Sequence, residues 1–379
     1  MEPVIYSVVF FTILGGLSLI PAKQISYLKR KRIVFILLSL SIICFFGLRN
    51  RYVGSDTPFY VDYFLHPMFG YRGNQQDIGF RAFNAIIRFF TDNVTIYLFI
   101  SALISLCGLF FLIYKNSINY FLSLSFFWIY STSENVFLYY CSMQRQCLAM
   151  SFCFFALYCM TNYKENKRII YSGLLFAIAL SFHITSLVCL ILYWAGCHIK
   201  FTKKNIKILL ILIPVSYFIG TQMGSFNMIL SYGLRIIGLG NSHYLSFIDG
   251  SYGEKYSGFG SLINMLSLPQ AIIGEILIFF KAKEKDTKTE EPILACYIVG
   301  IIINNLFVDN LLWGRMLSYA LMLSLIVIPN FITQLKSWKK IILCGGIWTI
   351  YLIKTFNMIT YQKLNENFGN IINPYLFFN

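Results

Sequence analysis

The sequence predicts an all-α polytopic membrane protein with about 12 transmembrane helices plus an interfacial helix. Composition is the first observation behind this prediction: 57% of the 379 residues are hydrophobic and 12% are charged, about half the charged share of soluble domains. Distribution is the second, because apolar runs recur from Pro3 to Met358 with no long polar stretch between them. We therefore expect one integral membrane domain over residues 1–379.

The lengths of the apolar runs predict the individual spans. A helix needs about 20 apolar residues to cross a bilayer. The runs that approach this length cover residues 3–22, 33–48, 94–114, 120–133, 146–161, 168–182, 184–199, 208–222, 259–280, 292–307, 312–329 and 341–358. The two runs that flank His183 predict a hairpin of short helices with the sequence SFHITS at its outer tip.

The basic residues between the spans predict the orientation. If the spans alternate in direction, one side of the membrane holds the segments 23–32, 115–119, 161–168, 200–207, 281–291 and 330–340, which contain most of the 31 lysines and arginines. Cytoplasmic loops carry such an excess, so we expect this side to be cytoplasmic and both termini to lie outside. The same bias explains the net charge of +15, which therefore does not indicate a nucleic-acid partner.

The first long outer segment, residues 49–92, contains a predicted amphipathic helix. Arg81, Asn84 and Arg88 recur at helical spacing, and the opposite side is apolar and includes Phe90. Such a helix fits the outer membrane interface better than the bilayer core. A thirteenth span would also invert every basic loop that follows it.

The basic residues left on the outer side are mainly arginines, whereas those on the cytoplasmic side are mainly lysines. The outer arginines are Arg49, Arg51, Arg72, Arg81, Arg88, Arg145, Arg235 and Arg315. The positive-inside rule opposes this placement and cannot explain it. A guanidinium group binds phosphate through two parallel hydrogen bonds, so we expect an anionic ligand at the outer face. The alternative is that these arginines contact lipid phosphates or pair with Asp56, Asp62, Asp77 and Asp92.

Two of these arginines favour the functional interpretation. Arg145 and Arg315 each lie at the start of an apolar helix, where ionisable groups usually face a cavity or a charged partner. Asp309 is a predicted ion-pair partner of Arg315.

Four motifs occur in order between the apolar helices: LRNRYVGSDTPFY, QRQCLAMSF, SFHITSLV and WGRMLSYAL. Together they resemble the EpsG-like family of bacterial polysaccharide polymerases, which is grouped by function with the Wzy polymerases of O-antigen and capsule. The resemblance extends roughly from residue 47 to residue 330. It implies a multi-pass glycosyltransferase of the bacterial inner membrane, related to the lipid-carrier-dependent class C fold. Its substrates would be undecaprenyl-pyrophosphate-linked glycans, as donor and acceptor, at the periplasmic face.

Within such a reaction, residue type suggests roles for the outer side chains. Asp56 is the first candidate base and His183 the second, although Asp56 could instead cap the following turn or neutralise Arg51, and His183 could be structural. The candidate pyrophosphate ligands are Arg49, Arg51, Arg145 and Arg315. The candidate glycan contacts are Tyr52, Tyr60, Arg81, Arg88, Arg235, His243 and Asp249. The last three lie in the long outer loop 223–258, for which a specificity-determining lid and a solvated loop are both open.

No metal or cofactor is expected. Most of the ten cysteines fall in apolar runs, and those from Cys141 to Cys159 are spaced six residues apart, which scatters them around a helix. A D-x-D pair, common where a metal binds pyrophosphate, does not occur. Membrane lipid and a chain-length regulator are the further partners considered. A lipid-linked oligosaccharide flippase and an O-antigen ligase remain open as alternative functions.

Overall fold

The computed structural model describes residues 2–19, 27–67, 77–133, 140–223, 232, 257–283, 290–307 and 311–364. Most of these residues are helical, and no β-strand is found among them. The chain forms two compact units, one made of residues 1–187 and 325–379 and the other of residues 188–324.

Each span predicted from the sequence overlaps at least one helix of the structure. In chain order the helices are α1 (Glu2–Ser18), α2 (Tyr27–Gly47), α3 (Thr57–Leu65), α4 (Ile78–Phe90), α5 (Val94–Asn116), α6 (Tyr120–Ser133), α7 (Gln144–Asn162), α8 (Glu165–Phe182), α9 (Val188–His198), α10 (Lys203–Met223), α11 (Ser257–Lys283), α12 (Pro292–Leu306), α13 (Leu311–Leu321), α14 (Ser324–Gln334) and α15 (Ser337–Leu364). A 3₁₀ turn, Ile184–Leu187, separates α8 from α9, so the chain leaves the helix at His183 as the sequence predicts.

The helices are apolar enough to identify a membrane protein. Within the described residues, three are long and apolar enough to cross a bilayer: Val94–Asn116, Lys203–Thr221 and Met316–Gln334. Shorter apolar helices cover Tyr6–Ser18, Arg32–Gly47, Tyr120–Tyr130, Ile184–His198 and Pro292–Leu306. The all-α membrane class is therefore confirmed, whereas the count of 12 spans stays a prediction.

Aromatic side chains form the core of the first unit. Trp128 of α6 is almost fully buried and packs edge-on against Phe45 of α2, with ring centroids 4.9 Å apart. Phe11 of α1 packs against the same indole, with ring centroids 5.5 Å apart. Large aromatic surfaces of this kind hold helices together without charged groups.

Small and hydroxylated residues set the position of α7. The backbone N–H of Gly108 in α5 donates to Ser151 Oγ at 3.0 Å, which requires close approach of α5 and α7. On the other side of α7, Ser172 of α8 donates to the carbonyl of Ala156 at 3.1 Å. Such contacts are typical of helix interfaces in membranes, and here they fix the helix that begins one residue before Arg145.

The amphipathic helix predicted in residues 49–92 is α4, but two of its residues, Asn84 and Phe90, do not lie on the faces predicted for them. Asn84 is buried and donates from Nδ2 to the carbonyl of Phe80 at 2.7 Å, whereas Phe90 is 78% exposed. An asparagine tolerates burial when its amide bonds to the preceding helical turn, so helical spacing with Arg81 and Arg88 did not identify the exposed side. The outward-facing Phe89 and Phe90 suit a helix at an interface with lipid.

Polar pairs join the helices of the second unit. The hydroxyl of Tyr297 in α12 donates to Gln270 Oε1 of α11 at 2.6 Å, and both residues are buried. Asn305 Nδ2 donates to the carbonyl of Ile213 in α10 at 3.2 Å. These bonds satisfy side chains that would otherwise be unpaired in an apolar environment.

Candidate functional site

The polar stretch that follows α2 folds around one main-chain carbonyl, that of Cys141. Arg49 Nη2 donates to this oxygen at 3.2 Å, and the hydroxyl of Thr57 also donates to it. Gly54 lies against the same oxygen with φ +102°, and a Cβ at this position would overlap it. The first sequence motif is therefore fastened to the chain three residues before Gln144, where α7 begins.

Arg49 is enclosed by protein. It is 1% exposed, and its Nη1 donates to the carbonyl of Phe46 at 2.5 Å, in addition to the bond to Cys141. Its Nε is buried and has no hydrogen-bond partner among the described residues. The predicted role of Arg49 in binding pyrophosphate stays a prediction, but the structure shows its two terminal nitrogens engaged by the main chain.

Arg145, the second residue of α7, lies in a different environment. Its Nη1 donates to Asp77 Oδ2 at 2.8 Å, and the two side chains are 14% and 36% exposed. The hydroxyl of Tyr60 in α3 also interacts electrostatically with the Arg145 guanidinium. The unpaired backbone N–H groups of a helix N-terminus favour negative charge at the same place. A cation at the start of an apolar helix is thus held by one carboxylate and one hydroxyl.

Asp56 occupies the N-cap position of α3, but it does not cap the helix. Its side chain makes no capping hydrogen bond, and it accepts instead from Ser55 Oγ at 3.1 Å. No ion pair of Asp56 is found within the part of the chain that the structure describes. The guanidinium of Arg51 lies over the Tyr52 ring, 5.3 Å from its centroid. A partly exposed carboxylate beside an arginine-containing turn can accept a proton from a ligand.

His183 lies at the C-cap of α8, where Thr185 determines its tautomer. The backbone N–H of Thr185 donates to His183 Nδ1 at 3.2 Å, and its hydroxyl lies 2.8 Å from the same nitrogen. Because Nδ1 accepts, the proton of a neutral imidazole is on Nε2. His183 in this conformation offers a hydrogen-bond donor at Nε2, which weakens the prediction that it is a base.

A close contact brings these segments to the same end of the first unit. A Cβ on Gly79, in the first turn of α4, would overlap Ser181, near the end of α8. Asp77 precedes that glycine by two residues, and His183 follows that serine by two. The motifs around Tyr60, Arg145 and His183 are distant in sequence but adjacent in the fold. Arg145 and its two partners define the candidate site, which we call the Arg145 cluster (Tyr60, Asp77 and Arg145).

Two predicted sugar platforms have different exposures. Tyr52 is 59% exposed at the rim of the first motif, as a ring that contacts a sugar should be. Tyr60 is buried, and its ring packs edge-on against Phe80 with centroids 5.3 Å apart. The hydroxyl of Tyr60, and not its ring face, is therefore directed to the site.

Arg81 and Arg88, the predicted glycan contacts in α4, are seven residues apart and therefore lie on the same side of the helix, beside its buried face. Arg88 donates to the carbonyl of Phe64 at 3.3 Å and pairs with Asp92 at 3.5 Å, so it joins α4 to α3. The Nε of Arg81 is buried and has no hydrogen-bond partner among the described residues. Their contact with a glycan stays a prediction.

Several predicted site residues cannot be placed. Arg235, His243 and Asp249, with most of the loop 223–258, lie outside the described residues. Arg315 lies in α13, but its side chain is also outside the described part. Among the side chains that are described, no three His, Cys, Asp or Glu lie close enough to hold a metal ion.

One pair near the site was missed by sequence reasoning. The hydroxyl of Tyr97 in α5 donates to Gln144 Oε1 at 2.7 Å, and both side chains are buried. Phe64 stacks on the Tyr97 ring with centroids 4.2 Å apart, which connects α3 to the same point. The signal in the sequence was the polar QRQ triplet at the start of an apolar helix.

Comparison with known proteins identifies the family. A model of the EpsG family matches residues 32–377, essentially the whole chain. No curated protein and no solved structure matches the chain. The family match agrees with the resemblance carried by the four motifs and with the apolar helices of the fold. The chain belongs to the EpsG family, a family of Wzy-like polysaccharide polymerases.

Proposed function

We propose that the protein joins oligosaccharide repeat units linked to undecaprenyl pyrophosphate. The donor is a growing glycan on one carrier lipid, and the acceptor is a single repeat unit on another. The acceptor hydroxyl attacks the first sugar of the donor, the bond from that sugar to the pyrophosphate breaks, and lipid pyrophosphate leaves. The observation that carries this proposal is the Arg145 cluster in a chain of a polymerase family: a partly exposed cation at the first turn of an apolar helix.

Arg145 supplies charge stabilisation in this mechanism. Negative charge develops on the pyrophosphate as the sugar leaves, and a fixed guanidinium is most effective when it needs no rearrangement at that moment. The N-terminal N–H groups of α7 add to the same positive potential. Tyr60 and the packing of α7 against α5 and α8 hold the group in position.

Asp56 is the proposed base. Its carboxylate is not used for capping, and Ser55 restrains it from one side. His183, with its proton on Nε2, is assigned to hold a sugar or phosphate oxygen as a hydrogen-bond donor. Arg51 and the exposed ring of Tyr52 would contact the ligand at the rim. Arg315 as a pyrophosphate ligand, and loop 223–258 with its three predicted glycan contacts, remain proposals from the sequence.

The site is assigned to the periplasmic face of the inner membrane, on the positive-inside bias. Accessibility of single introduced cysteines tests this assignment in a variant that lacks the native thiols. We expect a membrane-impermeant reagent to label Tyr52→Cys from the periplasm, and to label Lys200→Cys only after the membrane is opened. The reverse pattern would overturn the orientation.

Reconstitution tests the function. Purified protein in lipid nanodiscs receives synthetic undecaprenyl-pyrophosphate-linked repeat units, and the products are separated by length. Polymerisation gives a ladder of longer glycans. Glycans that lengthen only when lipid A core is supplied would indicate a ligase. Movement of a labelled unit across proteoliposomes with no longer product would indicate a flippase, and the proposal would fail.

A further inference from the structure

The guanidinium of Arg145 already has an anion, which is the carboxylate of Asp77. We propose that Asp77 sets the affinity threshold of the site for anions, because every anionic ligand must displace its carboxylate from Arg145. This inference rests on the proposed function, because it takes the pyrophosphate group as the ligand that succeeds. It assigns Asp77 as a positioning residue that acts through Arg145.

The exposure of the pair makes exchange of partners feasible. The Arg145 side chain is largely buried, but the Asp77 side chain is more than one-third exposed, so solvent or a ligand can reach the pair from the aspartate side. A partly exposed ion pair is held by a modest free energy, since water competes for both groups. The interaction of Arg145 with Tyr60 helps to keep the guanidinium in place while the carboxylate leaves.

Asp77 also has an alternative position. It is the N-cap residue of α4, a helix of 13 residues, and its side chain makes no capping hydrogen bond while it pairs with Arg145. Aspartate is among the best N-cap residues, because its carboxylate accepts from the free N–H groups of the first turn. Capping α4 would offset part of the cost of leaving Arg145. The sequence thus places the carboxylate between two mutually exclusive partners.

Charge decides which ligands can displace such a carboxylate. A phosphodiester carries one negative charge, as Asp77 does, so exchanging one for the other gains little electrostatic energy. Pyrophosphate carries more than one negative charge and more acceptor oxygens, so it gains more from the same arginine and helix N-terminus. Bilayers contain a large excess of anionic phosphodiester headgroups over any carrier lipid. Asp77 would keep these headgroups from occupying Arg145.

Binding measurements with two simple anions test the inference. Inorganic pyrophosphate and dimethyl phosphate are titrated onto full-length protein in a neutral detergent, for wild type, Asp77→Asn, Asp77→Ser and Asp77→Glu. We expect both neutral variants to bind both anions about tenfold more tightly than wild type, because the competing carboxylate is gone. Asp77→Glu keeps the charge and should restore the wild-type affinities. Arg145→Met should remove binding of both anions.

A purely structural role of Asp77 predicts the opposite sign. If Arg145 only needs Asp77 to be held in place, the neutral variants bind both anions more weakly, and the inference is overturned. Unchanged affinities for both anions in the neutral variants overturn it as well. Asp77→Ser serves as the second neutral variant because serine can still cap α4 and so protects against a general loss of folding.

The same preparations separate this inference from the proposed function. In the ladder assay, phosphatidylglycerol added to the nanodiscs should inhibit Asp77→Asn more strongly than wild type. If wild type makes the ladder and Asp77→Asn leaves the affinities for both anions unchanged, only the role of Asp77 fails. If wild type makes no ladder while Asp77→Asn still gains affinity for dimethyl phosphate, polymerisation fails and the anion site with its competing carboxylate stands.

Discussion

Arg49 and Arg145 belong to two segments that meet at the carbonyl of Cys141, but their surroundings differ. Arg49 is buried and donates to the carbonyls of Phe46 and Cys141. Arg145 is partly exposed and pairs with the side chain of Asp77. A main-chain carbonyl cannot withdraw without local unfolding, whereas a carboxylate can rotate away. The comparison separates an arginine that supports the fold from one that can exchange its partner for a ligand.

Local geometry, not charge, makes the difference. Both arginines belong to the set that the sequence predicts on the outer side of the membrane, and both lie beside apolar helices. Gly54 and Thr57 converge with Arg49 on one oxygen, so this region is closed by three contacts to the main chain. Among the described residues, the partners of Arg145 are the side chains of Asp77 and Tyr60. Substitutions at Arg49 should therefore lower mainly the stability, and substitutions at Arg145 mainly the rate of polymerisation.

The largest effect is expected at Arg145. Arg145→Met should lower the rate of polymerisation about 10²- to 10³-fold, because a charge that stabilises the leaving group is lost. Arg145→Lys keeps the charge but not the planar fork and should retain an intermediate rate. The ladder assay gives the rates, and thermal unfolding in detergent shows that both variants are folded.

A single result would reverse the assignment at Arg145. If Arg145→Met polymerised at close to the wild-type rate while its unfolding temperature fell, the arginine would serve the fold. The pair with Asp77 would then be a structural ion pair, and the proposed leaving-group site would have to be sought elsewhere.

Arg49 should show the complementary behaviour. Arg49→Met removes two charge-assisted hydrogen bonds to buried carbonyls, so we expect the unfolding free energy to fall by about 3 kcal/mol. Lysine at this position can reach one carbonyl and should recover part of the loss. The unfolding temperature in detergent and the folded fraction after purification measure the effect. A stable but inactive Arg49→Met protein would instead return Arg49 to the ligand site, as the sequence suggested.

A substitution at Gly54 tests the packing around the Cys141 carbonyl without changing the charge of the protein. Alanine at this position would adopt a positive φ and would overlap the carbonyl of Cys141, so Gly54→Ala should cost about 2 kcal/mol of stability. Gly173 in α8 is a matched control, because a Cβ there meets no atom within 4 Å. Gly173→Ala should be neutral or slightly stabilising. Equal unfolding temperatures for the two variants would show that Gly54 is not constrained.

The sequence predicted the helices and the position of Arg145 at the start of one of them, but not how the arginines are partnered. Apolar runs define helices because helix formation is local, and Arg145 begins such a run. Asp77 lies 68 residues away, and it was one of several aspartates that the sequence could not rank. The ligand of Arg49 is a main-chain carbonyl, which every residue carries and no residue type reveals. Asn84 was assigned to the wrong face because its bond to Phe80 makes burial tolerable.

The smallest and most selective effect is expected at Thr57. Thr57→Val keeps the shape of the side chain but removes the hydroxyl that donates to Cys141, which leaves Arg49 as a donor to that carbonyl. The loss of one buried hydrogen bond should cost about 1 kcal/mol, seen as a lower unfolding temperature. Thr57→Ser retains the hydroxyl, so its unfolding temperature should fall less than that of Thr57→Val. At a temperature where both variants are folded, we expect both to polymerise at the wild-type rate, since Arg145 keeps its partners.

If Thr57→Val lost activity without losing stability, the Cys141 carbonyl would be setting the position of Arg145 during the reaction. The region around Arg49 would then belong to the catalytic machinery, and the separation between the two arginines would no longer hold.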